Sequence, residues 1–225
     1  MSLPCADESL EAAGFVLAGG GSSRMGQDKA LIAFAGKPLV ARALAVLGDA
    51  GLQTAIAGAR NSLSSFAPVV EDPPGDAGKG PLSGICAALR FTAARLAVFL
   101  PVDLPFIPAC LIGYLVSHAR VTGLPISVTS VNGYPQTFPA VVERRALGFL
   151  EAQLNSGELG CLAAFRRGAE LLASRLSILP AEPLVQSGQI SHPASLPAAF
   201  WFLNLNSARD LMHAERLATF RLRVS

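Results

Sequence analysis

The sequence predicts an α/β fold built on a mostly parallel sheet with helical crossovers, and three features carry that expectation. Short apolar runs alternate along the chain with segments whose apolar residues recur at helical spacing. Hydrophobic residues make up 51% of the 225 and charged residues 15%, which suits a sheet covered on both faces. The clearest strand, Leu96–Leu100, runs directly into Pro101-Val-Asp103-Leu-Pro-Phe106, placing a carboxylate at the carboxyl end of a central strand.

The elements follow in order. Gly14-Phe-Val-Leu-Ala18 is short, apolar and glycine-bounded, as a buried parallel strand should be. Pro38–Leu47 carries leucines and valines at helical spacing and stops at Gly48 and Gly51. Gln53–Ala57 and Pro68–Val70 predict short strands, separated by a polar loop over Glu71–Gly80 from a helix over Leu82–Ala94, with Pro81 suited to its first turn. A helix is expected over Pro108–His118, a strand over Pro125–Ser130, and another over Thr137–Glu143, where Pro139 suggests an edge or a bulge. Two helices, Arg145–Asn155 and Gly160–Arg167, join through Gly157. Residues 180–199 hold four prolines and little periodicity, which predicts an irregular loop. The chain closes with a strand over Ala199–Leu203 and a helix from Ala208 to about Leu217, with Ser207 as its N-cap.

Composition bounds the function. A net charge of +2 with scattered Lys and Arg predicts no nucleic-acid partner. Cys5, Cys86, Cys110 and Cys161 show no metal-type spacing and are expected to be reduced packing thiols. Asp7, Glu8 and Glu11 stand where a secretory signal would be basic, so a cytoplasmic protein is expected. The most apolar stretch, Leu96–Val116, contains Asp103 and three prolines, so no membrane span is predicted. The length suits one domain.

The most informative segment is Val16-Leu-Ala-Gly-Gly-Gly-Ser-Ser-Arg-Met-Gly-Gln-Asp-Lys29. Three glycines at a strand exit let backbone N–H groups approach an anion, and Arg24 and Lys29 add two positive charges. The combination suits a nucleoside triphosphate. It is neither a Walker A loop, since Gly26 is followed by Gln27 where Lys is needed, nor a dinucleotide fingerprint, since position 24 is Arg. Asp103 is the candidate for chemistry at a strand end. A carboxylate there calls for a compensating cation, and without a metal it is expected to be partly desolvated and unpaired.

Separated segments then agree on one family. Leu17-Ala-Gly-Gly-Gly-Ser-Ser-Arg-Met-Gly-Gln-Asp-Lys29, Asp72 with Gly80-Pro-Leu-Ser-Gly-Ile85, Pro101-Val-Asp-Leu-Pro-Phe106, and Phe202-Leu-Asn-Leu-Asn206 with Asp210-Leu211 resemble the motifs of the molybdenum cofactor guanylyltransferases over about residues 13–217. Ser207-Ala-Arg209 departs from the Thr-Pro-Glu run usual in that family.

The resemblance implies a three-layer Rossmann-like fold of the nucleotide-diphospho-sugar-transferase type. It implies one nucleotidyltransferase domain, with a nucleotide-binding half over about 13–107 and an acceptor-binding half over about 108–217. The implied activity is transfer of GMP from GTP to the phosphate of molybdopterin, with Mg²⁺ or Mn²⁺ as cofactor and with transient contact to cofactor-biosynthesis or recipient proteins. Leu17, Ala18, Gly19, Gly20 and Gly21 would contact the nucleotide, and Arg24 and Lys29 would neutralise its phosphates. Asp72, Gly80, Pro81, Leu82 and Gly84 would fix the guanosine. Asp103 and Asn206 would hold the metal, with Asn204 close by. Asn204 and Asn206 also suit helix caps, and Asp72 an ordinary loop carboxylate. Arg144, Arg145, Arg166 and Arg167 are candidates for the acceptor phosphate or for solvated helix faces. A cytidylyltransferase and a non-catalytic nucleotide-binding module are the competing readings.

Overall fold

A computed structural model of the chain describes residues 11–19, 28–58, 61–76, 78–157 and 160–222. The predicted apolar runs other than the last, joined by an unpredicted strand β9 (Leu176–Pro180), assemble into a seven-stranded sheet with β1 (Ala12–Leu17), β4 (Gln53–Ala57), β5 (Val69–Val70), β6 (Leu96–Pro101), β7 (Ile126–Val131) and β8 (Tyr134–Glu143), in the order β5-β4-β1-β6-β8-β7-β9. Every strand except β8 points the same way. A small hairpin of β2 (Ala33–Phe34) and β3 (Lys37–Pro38) stands apart from the sheet.

Strand periodicity explains why these runs are apolar throughout. In β1, Val16 faces one side of the sheet while Phe15 and Leu17 face the other; in β6, Leu96, Val98 and Leu100 alternate with Ala97 and Phe99. On the first face pack α1 (Leu39–Asp49), α3 (Ala109–Thr122), α6 (Ala181–Gln186), α7 (Ala198–Trp201) and α8 (Ala208–Leu222). On the second pack α2 (Pro81–Phe91), α4 (Leu147–Asn155) and α5 (Cys161–Leu171), beneath a Phe15–Phe99 stack with centroids 5.7 Å apart. Cys86 and Cys161 lie buried on this face as free thiols, each pushed up to about 12 by burial, which fits their packing role. Among the described residues, no helix is long and apolar enough to cross a membrane.

Three expectations need correction. Residues 180–199 are not one irregular loop, because β9 ends on Pro180 and α6 follows at once. Pro183 occupies the first turn of α6, where a missing N–H costs nothing, so these prolines mark element boundaries. The aromatic run Ala199–Leu203 is not a strand; Ala198–Trp201 forms one helical turn, and the buried Trp201 indole N–H donates to the Leu196 carbonyl at 2.8 Å. Five residues are too few to separate a period of 2 from one of 3.6. Of the two readings of Pro139, the bulge holds and the edge does not: β8 lies between β6 and β7, and the proline falls where the register of β7 against β8 shifts.

The end of the sheet where β1 and β4 exit is built on a contact between glycine backbones. A Cβ on Gly19 would lie 2.1 Å from the Gly58 carbonyl oxygen, and a Cβ on Gly84 would lie 3.4 Å from the Gly58 Cα. Gly58 itself has φ +72, and its N–H donates to Val70 O at 3.1 Å. The exits of β1 and β4 and the first turns of α2 are therefore pressed together without side chains. Gly19→Ala is expected to lower stability by about 1–3 kcal/mol in urea unfolding, because backbone must move to admit the methyl group. Gly113→Ala, in a helix with nothing near the added carbon, is expected to lose nothing. Equal stability of Gly19→Ala and the parent chain would contradict the contact.

Candidate active site

The central neighbours β1 and β6 end side by side, since Val102 N donates to Leu17 O at 3.2 Å. Asp103 follows immediately, so sheet register fixes its backbone next to the β1 exit. The Asp103 carbonyl in turn accepts from Leu205 N at 3.0 Å, which draws the segment before α8 across the end of β6. Leu205 is buried and anchors that crossing. Lys29 approaches from the other side, on a 3₁₀ turn over Lys29–Leu31 capped by Asp28, whose carboxylate accepts from Ala30 N at 3.0 Å.

These three segments converge on one positive charge. The Lys29 Nζ donates to Asp103 Oδ2 at 2.8 Å and to Asn206 Oδ1 at 2.9 Å. The Lys29 and Asp103 side chains are 14% and 19% exposed, so the pair is shielded more than a surface ion pair. Asn206 is held from behind: its N–H donates to Asp210 Oδ2 at 3.0 Å, and that carboxylate also accepts from Ser207 Oγ at 2.8 Å. Ser207 Oγ accepts from Asp210 N at 3.2 Å and so caps α8 as expected. These contacts, the Ser207 hydroxyl first, hold the Asp210 carboxyl below its ordinary value. The expectation that Asp103 lacks a partner when no metal is present is thus corrected, because Lys29 is its counter-ion.

The remaining predicted residues divide clearly. Gly20, Gly21 and Arg24 lie outside the described residues, as does Cys5. Leu17 packs its side chain into the second-face core, and Ala18 N donates to Ala57 O at 3.1 Å, so both set the strand exit. Asn204 is exposed and, among the described residues, makes no hydrogen bond to Lys29 or Asp103. Arg144 and Arg145 sit at the opposite end of β6 from Asp103: Arg144 N donates to Arg95 O at 2.9 Å, and Arg145 pairs with Glu143 at 2.6 Å. Arg95 also pairs with Glu11, to which Arg120 bonds. Arg166 and Arg167 are exposed on α5, with Arg167 on Glu170 at 3.2 Å.

A second polar group lies at the start of α2. Gly80, with φ +81, turns the chain into the helix; Pro81 is exposed at its first position, while Leu82 is core. Asp72 Oδ1 and Ser83 Oγ are both buried without a hydrogen bond of regular geometry among the described residues. Burial pushes the Asp72 carboxyl above its ordinary value, the nearby Ser83 hydroxyl draws it partly back, and Asp76 pushes it up again. Ser83 and Gly58 are the residues sequence reasoning passed over. Ser83 lay inside a quoted motif, and Gly58 showed the strand-exit glycine signal already used for Gly19.

The donor set suits a hard divalent cation. Asp103 and Asn206 offer one carboxylate and one amide oxygen, already oriented around an ammonium that stands in for a cation. Among the described residues no cluster of three His, Cys, Asp or Glu exists.

The MobA-like NTP transferase domain family matches residues 14–173. A Haloferax mediterranei protein named "Probable molybdenum cofactor guanylyltransferase" is 31% identical over 206 residues, 88% of this chain and 90% of the relative. The crystal structure of molybdopterin-guanine dinucleotide biosynthesis protein A from Archaeoglobus fulgidus superposes with a TM-score of 0.73 at 24% identity, covering 92% of this chain and 99% of the other. The 2-C-methyl-D-erythritol 4-phosphate cytidylyltransferase of Thermus thermophilus shares the fold at a TM-score of 0.62 and 16% identity, covering 93% and 99%. With the glycine-rich strand exit, the strand-end aspartate and the late asparagine motif in one sheet order, the chain belongs to the MobA-like NTP transferase domain family.

Proposed function

We propose that this chain transfers GMP from GTP to the terminal phosphate of molybdopterin, forming the guanine dinucleotide cofactor and releasing pyrophosphate. The observation that carries the reading is the convergence of Lys29, Asp103 and Asn206 at the joined ends of β1 and β6. An acceptor phosphate oxygen attacks the α-phosphorus of GTP, the bond to the bridging oxygen breaks, and pyrophosphate leaves with that oxygen. The attacking oxygen is already ionised, so no general base is required, and the site requires positioning and charge neutralisation. Asp103 and Asn206 would hold Mg²⁺ or Mn²⁺, which when bound neutralises charge on the reacting phosphates. Lys29 supplies a further positive charge to them.

The base is assigned to Asp72 and the start of α2. A guanine edge presents two adjacent N–H donors, N1–H and the N2 amino group, and Asp72 Oδ1 is a buried acceptor without a hydrogen bond of regular geometry among the described residues. Cytosine offers an acceptor beside its amino group, which a carboxylate repels. The relative's guanylyltransferase name supports the same choice.

The direct test incubates the protein with each α-labelled NTP, Mg²⁺ and molybdopterin. Transfer from GTP alone is expected; preferential transfer from CTP would make it a cytidylyltransferase, and binding without transfer would make it a nucleotide-binding module. Asp103→Asn is expected to cut turnover at least about 10²-fold and to lower the melting point without metal, because it leaves Lys29 unpaired. Near-normal turnover in that variant would place the charge centre elsewhere.

Asp72 gives a pH-dependent signature. Below its ordinary value the carboxyl is protonated in both folded and unfolded chains and contributes nothing. As pH rises past that value the folded state keeps the proton longer, so stability falls through the interval up to the raised folded value and stays lower above it. Asp72→Asn is therefore expected to melt no lower than the parent at neutral pH without nucleotide, to lose the advantage below that interval, and to weaken GTP. A variant that melts lower at neutral pH and binds GTP normally would make Asp72 a structural loop carboxylate.

A further inference from the structure

We infer that Lys29 occupies the cation position between Asp103 and Asn206 until a triphosphate arrives, so that the metal site becomes available only together with the nucleotide. The inference rests on the nucleotidyl-transfer reading and adds an order of events to it. Both oxygens proposed to hold the divalent ion, Asp103 Oδ2 and Asn206 Oδ1, are taken up by one ammonium at 2.8 and 2.9 Å. An ammonium and a divalent cation cannot share those two oxygens, because their charges repel across a few ångströms beside a carboxylate that is only 19% exposed.

The surrounding bonds decide which member moves. Asp103 is fixed by β6 and by the bond from Leu205 N to its carbonyl. Asn206 is fixed by the Asp210 cap of α8. The backbone of Lys29 is fixed by the Asp28-capped turn, yet its side chain is a flexible four-carbon stem ending in three rotatable donors. All three backbones are thus anchored, and the Lys29 ammonium, on the longest stem of the three, has the greatest reach away from the site. The charges give the reason to leave: pairing with Lys29 cancels the Asp103 charge that would otherwise draw in a metal ion. A triphosphate offers Lys29 a stronger anionic partner and releases Asp103 at the same moment. Lys29 is thus a positioning residue that couples metal and nucleotide binding, as well as a contributor of charge.

The test counts Mn²⁺ bound to the full-length protein by water-proton relaxation, with Mn²⁺ alone and with Mn²⁺ plus inorganic tripolyphosphate or GTP. The parent chain is expected to bind Mn²⁺ alone weakly and to gain strongly with either polyphosphate. Lys29→Met is expected to bind Mn²⁺ alone at least about tenfold tighter, since one repelling charge is gone, and to gain much less from added polyphosphate. Adding Asp103→Asn to Lys29→Met should abolish the gained affinity, which places the ion at Asp103. Lys29→Met binding Mn²⁺ no tighter than the parent overturns the inference. Should that variant not fold, the parent chain still decides: equal Mn²⁺ affinity with and without tripolyphosphate overturns it as well. Coupling seen with tripolyphosphate stands even if GTP proves to be the wrong nucleotide, so the two readings fail separately.

Discussion

The Lys29 ammonium, bonded at once to Asp103 and Asn206, ties together parts of the chain that are 74 and 177 residues apart. Each partner comes from a different kind of element: a 3₁₀ turn, the end of a parallel strand and the cap of the last helix. A charged group at a strand end must be compensated before the neighbouring apolar core can close around it. In this fold the chain supplies its own cation, so the Asp103 charge is compensated before any ligand binds. Preorganised charge of this kind stabilises developing charge without reorganising at the moment of reaction.

Backbone packing sets where that charge centre can be used. Gly19, Gly58 and Gly84 let the exits of two strands and the start of α2 meet directly, which holds the β1 exit against the helix that bears Ser83. Asp72 Oδ1 and Ser83 Oγ lie buried on this side, without a hydrogen bond of regular geometry among the described residues. Lys29, Asp103 and Asn206 lie at the adjoining ends of β1 and β6. A nucleotide spanning the two would place a base on unsatisfied acceptors and phosphates on positive charge. The antiparallel β8 then extends the sheet beyond β6 towards β7 and β9, on the side where the second half of the chain folds.

Much of this was legible in the sequence because the signals were local. Continuous apolar runs marked most of the parallel strands, Gly51 closed the first helix with a positive φ, and Ser207 capped α8. Asp103 stood out because a carboxylate after five apolar residues has few other reasons to be there. What escaped depended on partners far away in sequence. The pairing of Lys29 with Asp103 cannot be read from either motif, since each motif on its own points to phosphate or metal. Gly58 looked like any turn glycine until Gly19 was seen against its carbonyl. The helical turn at Trp201 escaped because an aromatic run of five residues fits a strand equally well, and only the buried indole bond to Leu196 decides it.

The central claim is that one position between Asp103 and Asn206 is held by two cations in turn. Its most direct test is a pair of crystal structures of the intact chain, without ligands and with Mn²⁺ and a non-hydrolysable GTP analogue, with anomalous data at the manganese edge. The account predicts Lys29 on Asp103 in the first, and in the second an anomalous peak between Asp103 and Asn206 with Lys29 moved onto the phosphates. A second structure in which Lys29 still bonds Asp103 while the manganese sits on other residues would contradict it.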